Sequence, residues 1–249
     1  MNTFPKPVPF SQLLGPSFII LALGLGSGEV ILWPFLVSNY GLGILWAAIL
    51  GISCQYFINM EIARYALVKG ESVFVGLNKV FPWSPYWFIA STFIGFGLPG
   101  IVAASAKILA FMFGVDHSHW IAIGMLLFIG LILSASKTVY GMMEGLTKII
   151  IFFGVSFIFI LTVFLARSGD WLALGQGLIG KGDQFWFFPI EISLATFLAA
   201  FAYSGAGGNL NLTQSIYIKE KGYGMGKYAQ KIAGLFTGVG AKQAIRLSG

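Results

Sequence analysis

The sequence predicts an all-α integral membrane protein with six membrane-spanning segments, and three observations carry that expectation. Of its 249 residues, 57% belong to the set AVILMFWYC and only 10% are charged, against roughly 25% charged in a soluble domain. The apolar residues gather in long runs without strict polar–apolar alternation, which favours helices over a membrane β-barrel. Glycine is abundant, with 33 residues, as in transmembrane helices. A soluble chain could not cover so much apolar surface with so few charges. Water-soluble enzymes, nucleic-acid-binding domains and disordered tails are excluded on that ground, and the lipid bilayer is the expected partner. The single Cys54 offers no disulfide framework.

A helix needs about 20 apolar residues to cross the hydrocarbon core. Runs of that kind lie at about 13–38, 42–60, 86–113, 119–136, 146–166 and 189–218. The first is too long for a signal-peptide core and has no cleavage pattern after it. Residues 219–249 read as a polar cytoplasmic tail, in which the apolar stretch Ile232–Gly240 is too short to cross. No second domain and no repeat is visible, so 1–249 reads as one transmembrane domain.

Orientation follows from Lys and Arg, which collect on the cytoplasmic side. With the N-terminus inside, the inner segments carry Lys6, then Arg64, Lys69 and Lys79, then Lys137 and Lys148. The tail adds Lys219, Lys221, Lys227, Lys231, Lys242 and Arg246. The outer loops hold only Arg167 and Lys181, and Lys107 falls within the third span. Twelve against two, with one in the membrane, accounts for all 15. Trp46, Trp120, Trp171 and Trp186 then fall near the outer boundary, and Trp83 and Trp87 near the inner one, as an aromatic belt requires. A prokaryotic inner or plasma membrane is the expected location.

Two spans are interrupted. The first contains Gly24-Leu25-Gly26-Ser27-Gly28-Glu29, where each glycine costs a helix about 1 kcal/mol relative to Ala. Glu29 places a carboxylate near the middle of the span, at an insertion cost of roughly 2.5–3.5 kcal/mol. The sixth runs from apolar residues 192–203 into Ser204-Gly205-Ala206-Gly207-Gly208-Asn209-Leu210-Asn211 before helix resumes. Unwound backbone at membrane depth is tolerated where it is packed in protein or lines a watery cavity, and paired broken helices point to a secondary transporter's binding site. Breaks in spans one and six fit a five-plus-five inverted repeat. Gly-x-Gly-x-Gly has no strand before it, so a dinucleotide loop is excluded.

Blander readings exist for each feature. Gly-rich segments also serve close helix packing, but two of them with a buried carboxylate favour a binding site. Glu29 and Lys107 could form a structural ion pair, although Lys107 is placed to snorkel to the interface. Glu61 and Arg64 read as a boundary ion pair one turn apart. Asp116, His117 and His119 read as solvated loop residues.

Gly15-Pro16-Ser17-Phe18, seven apolar residues, Gly26-Ser27-Gly28-Glu29 and Tyr40-Gly41-Leu42-Gly43-Ile44-Leu45-Trp46 follow one another. This order resembles helix 1 of the Nramp family of proton-coupled divalent-metal transporters, which reads Gly-Pro-Gly-Phe, Asp-Pro-Gly-Asn and Phe-Gly-Tyr-x-Leu-Leu-Trp in the same register. The family's helix 6 segment Met-Pro-His-Asn falls on Gly207-Gly208-Asn209-Leu210, and its later His-Ser on Gln214-Ser215. The family's metal-binding Asp falls on Gly26, its Asn on Glu29 and its thioether on Gly207, so the pattern looks like a divergent branch.

The resemblance implies a LeuT-type fold, of which the six spans are the first inverted repeat and the first helix of the second. It also implies that helices 7 onward belong to a longer chain or to a second polypeptide. The expected function is secondary active transport of a divalent cation of the Mn/Fe/Mg class, coupled to protons, with no resident cofactor. Glu29 is the expected metal ligand and proton carrier. Gly26, Ser27, Gly28, Gly207, Asn209 and Asn211 are expected to complete the substrate site. The alternatives are a LeuT-type transporter of an amino acid or other small organic solute, and a non-transporting membrane subunit. No nucleophile–base pair or metal-ligand spacing in the spans suggests an enzyme.

Overall fold

The computed structural model describes residues 4–229 apart from 8, 27, 98–99 and 136–138. Among the described residues it contains eleven α-helices and no β-strand beyond an isolated bridge between Lys181 and Trp186. Three helical stretches, Leu42–Lys69, Ser84–Phe113 and Tyr140–Leu165, are long and apolar enough to cross a membrane. A fourth forms if the pair Ser17–Gly24 and Gly28–Tyr40, bent by 42°, is taken as one. Their outer faces are bare: Phe111 is 88% exposed and Phe164 83%. Side chains of that kind in such numbers are stable against acyl chains, not against water, and the protein is membrane-embedded.

Helix α1 (Phe10–Gly24) gives way to a π turn over Gly28–Leu32 that runs into α2 (Trp33–Tyr40). Pro34 sits in the first turn of α2. It has no N–H for the carbonyl four residues back, and the wider π register over the preceding turn accommodates that gap. A 3-10 turn (Leu42–Ile44) then leads into α3 (Leu45–Lys69). Its buried residues Ala47, Gly51, Gln55, Ile62 and Ala66 recur at four- and seven-residue steps, one face of a helix. That face is the spine of the fold. Near its start it packs with Trp33 and Leu36 of α2 and with Phe197 and Ala200 of α10 (Leu194–Ala202). Toward its end Ala66 meets Ile218 of α11 (Asn209–Lys221) and Tyr223.

The remaining helices are α4 (Val73–Val80), α5 (Ser84–Gly97), α6 (Gly100–Phe113), α7 (Ser118–Ala135), α8 (Val139–Leu165) and α9 (Ser168–Leu178). Helices α4 and α9 lie between the expected spans, in the segments 61–85 and 167–188. Both are shorter than a membrane crossing, so a search for runs of about 20 apolar residues passes over them.

Residues 219–228 are not a free polar tail. Helix α11 continues to Lys221 and a 3-10 turn follows over Gly224–Tyr228. Met225 is 1% exposed and Tyr223 7%, because these apolar side chains alternate with glycines and fold back on α3. The stretch Ile232–Gly240 lies outside the described residues. At this same C-terminal end of α11, the buried Glu144 of α8 receives Lys221 Nζ on both carboxylate oxygens at 2.7 Å and Lys148 Nζ at 2.6 Å. Two cations compensate for burying this carboxylate and tie α8 to α11. The i,i+4 spacing of Glu144 and Lys148 was the visible sequence signal for this cluster.

Candidate binding site between two broken helices

The first break begins where the α1 ladder runs out. Leu25 N–H donates to Leu21 O at 2.9 Å and Gly26 N–H to Gly24 O at 2.7 Å, and the next helical bond is Val30 N–H to Gly26 O at 3.1 Å. The second break spans residues 203–208, between Ala202 at the end of α10 and Asn209 at the start of α11. There Ser204 N–H donates to Phe201 O at 3.2 Å and Asn211 N–H to Gly208 O at 3.2 Å.

The two breaks are bonded to each other. The Glu29 carboxylate accepts the backbone N–H of Gly205, a donor left over by the unwinding. Trp33 Nε1 donates to Ser204 Oγ at 3.0 Å, and Ser204 Oγ donates to Ala200 O at 3.0 Å. Gln55 of α3 donates from Nε2 to the end carbonyl of α10, at Ala202, at 3.3 Å. Glycine is required at both crossings. A Cβ on Gly28 would collide with the Tyr203 carbonyl oxygen, and one on Gly205, whose φ is +92°, would lie 2.5 Å from Gln55 Oε1.

Between the breaks lies a cavity of about 500 Å³. Gly26, Gly28, Glu29, Gly207 and Asn209 all line it, together with Ser91 of α5 and Ile101 of α6. Five of the expected site residues are thus brought to one place. Asn211 is not among the lining residues; it is buried, and its Oδ1 has no hydrogen-bond partner among the described residues. Ser27 lies outside the described residues. Lys107 is exposed on α6, and no ion pair among the described residues joins it to Glu29. Glu61 and Arg64 do pair, on the exposed side of α3.

The donor set is oxygen. No His, Cys or Met lines the cavity among the described residues, and Glu29 is the one carboxylate there. Nor do three His, Cys, Asp or Glu side chains gather anywhere among them as a metal cage. The C-terminal ends of α1 and α10 point partial negative charge at the cavity, and the N-terminal ends of the π turn and α11 point partial positive charge. Partial charges of both signs therefore border the cavity, and Glu29 adds the one carboxylate among the described lining residues.

Sequence reading overlooked Gln55, Ser91 and Thr92. Each is a polar side chain inside a long apolar run, the same signal that singled out Glu29. Asn209 Nδ2 donates to Ser91 Oγ at 2.8 Å and to Thr92 Oγ1 at 3.1 Å. A second cavity of about 420 Å³ sits where Tyr40 and Gly41 meet the 183–191 segment, and is lined by Asp183 and Glu191. Compared with protein-family models, curated proteins and solved structures, the chain finds no match.

Proposed function

We propose that this protein is a secondary transporter of a divalent cation, coupled to protons, an Nramp-like chain of LeuT-type architecture in which the two broken helices are the first helices of two inverted repeats. The observation that carries the proposal is the meeting of both breaks, with Glu29 between them, on one cavity. Carboxylate, carbonyl and amide oxygens suit Mg²⁺ or Mn²⁺ better than softer metals. The volume exceeds ten waters at about 30 Å³ each, so the cation keeps part of its hydration shell. Glu29 supplies the charge, carbonyls of the unwound segments supply neutral oxygens, and Asn209 adds an amide. Because Glu29 is the carboxylate lining the cavity, proton exchange runs through it as the cation arrives or leaves. Alternating access is then a rocking of the helices that carry the breaks against the rest.

The test is calorimetric titration of the full chain in lipid nanodiscs with Mn²⁺, Mg²⁺ and a panel of amino acids. Saturable Mn²⁺ or Mg²⁺ binding accompanied by proton release is the expected result. Binding of an amino acid in place of both cations would transfer the site to the organic-solute class, and binding of none would leave a non-transporting subunit.

A further inference from the structure

Helix α5 faces outward for most of its length, with Ile89 69% and Phe93 75% exposed. Ser91 and Thr92 interrupt that face, and both are bound to one atom, Asn209 Nδ2. Ser91 Oγ also donates to Phe88 O, at 3.4 Å. A hydroxyl has one proton, so with that proton on Phe88 O Ser91 meets Asn209 as an acceptor. If the carboxamide were turned over, Oδ1 could accept from Ser91 only if that hydroxyl gave up its bond to Phe88 O. The two N–H groups of the amide are therefore held against the α5 wall, and Oδ1 carries no hydrogen bond from a described residue.

We propose that Ser91 and Thr92 are positioning residues for the cation site, holding the Asn209 carboxamide so that its oxygen, not its N–H groups, is presented to the ligand. The inference rests on the cation reading of the cavity and adds a specificity device to it. An amide free to rotate offers a cation its positive edge as readily as its oxygen. A locked amide offers oxygen alone.

Mn²⁺ titration of the full chain in nanodiscs tests this. The double change Ser91→Ala with Thr92→Val is expected to weaken Mn²⁺ binding by about tenfold. The exchange Ser91→Thr with Thr92→Ser keeps both hydroxyls and is expected to bind as wild type. In an Asn209→Asp background the same double change should alter affinity by less than about twofold, because a carboxylate presents oxygen whichever way it turns. An unchanged affinity in the Asn209 background would overturn the proposal. So would an equal loss in both backgrounds, which would make the hydroxyls ligands or structural groups in their own right. If the double variant does not fold, Ser91→Ala alone carries the same comparison. A wild-type chain that binds no Mn²⁺ would remove the cation reading itself, a failure visible before any variant is made.

Discussion

Trp33 and Ser204, 171 residues apart, share a buried hydrogen bond of 3.0 Å that joins the helix after the first break to the start of the second. Trp33 is 6% exposed and Ser204 1%. The bond is unequal in what its removal costs. Trp33→Phe deletes the donor, and Ser204 still has Ala200 O as partner; a loss of about 1 kcal/mol is expected. Ser204→Ala strands the indole N–H in an apolar interior and is expected to cost up to about 3 kcal/mol. Thermal unfolding in detergent should rank the two variants in that order.

Gly28 and Gly26 differ in the room beside them. A Cβ on Gly28 collides with the Tyr203 carbonyl, whereas one on Gly26 lies 3.2 Å from Leu23 O, tight but open to small adjustment. Gly28→Ala is expected to destabilise by about 1–3 kcal/mol, as overpacking does, and to weaken cation binding by separating the breaks. Gly26→Ala should have the smaller effect on both. Unfolding and Mn²⁺ titration of the two variants check this.

Glu29→Gln keeps an oxygen for the Gly205 N–H but removes the charge and the titratable proton. If Glu29 ligates the cation, Mn²⁺ binding should weaken about tenfold or more, equivalent to roughly 1.4 kcal/mol. If Glu29 only carries the proton, binding should persist while proton release on binding disappears. Lys107→Met should change neither, since Lys107 is exposed and makes no ion pair with Glu29.

The charge bias over the loops predicts sidedness. Cysteines placed at the exposed positions Val115 and Asp183, in a Cys54→Ser background, should react with an impermeant maleimide on intact cells. Cysteines at the exposed positions Lys69 and Lys227 should react only after permeabilisation. The reverse pattern would invert the topology.

Glu71, beyond the end of α3, is pushed up by burial. Lys79 Nζ at 2.6 and 2.7 Å and Tyr65 OH at 2.7 Å outweigh that and hold its carboxyl below the ordinary range. A depressed folded-state pKa stabilises the fold fully above the unfolded carboxylate value, roughly 4.3. The stabilisation is lost as pH falls through the folded value. Unfolding followed from pH 6 to 3 should therefore show a decline in stability that is shallower in Glu71→Gln.

Class and the location of the breaks were legible in the sequence because both are local. A run of apolar residues, a cluster of glycines and a carboxylate inside a span each carry a free-energy consequence wherever the chain goes. Partnership was not legible. Glu29 had Lys107 as its one visible candidate, yet folding gave it a backbone N–H of Gly205, a donor that exists only because α10 ends three residues earlier. Asn209 and Asn211 were equivalent in the sequence, but two residues turn a helix by about 200°, so only one of the pair faces the cavity. The start of the tail looked polar by composition, while its Tyr223 and Met225 are buried because α3 supplies an apolar face for them. Sequence determined which residues are costly in a bilayer; tertiary structure decided which groups compensate for that cost, because the compensating groups come from segments far apart along the chain.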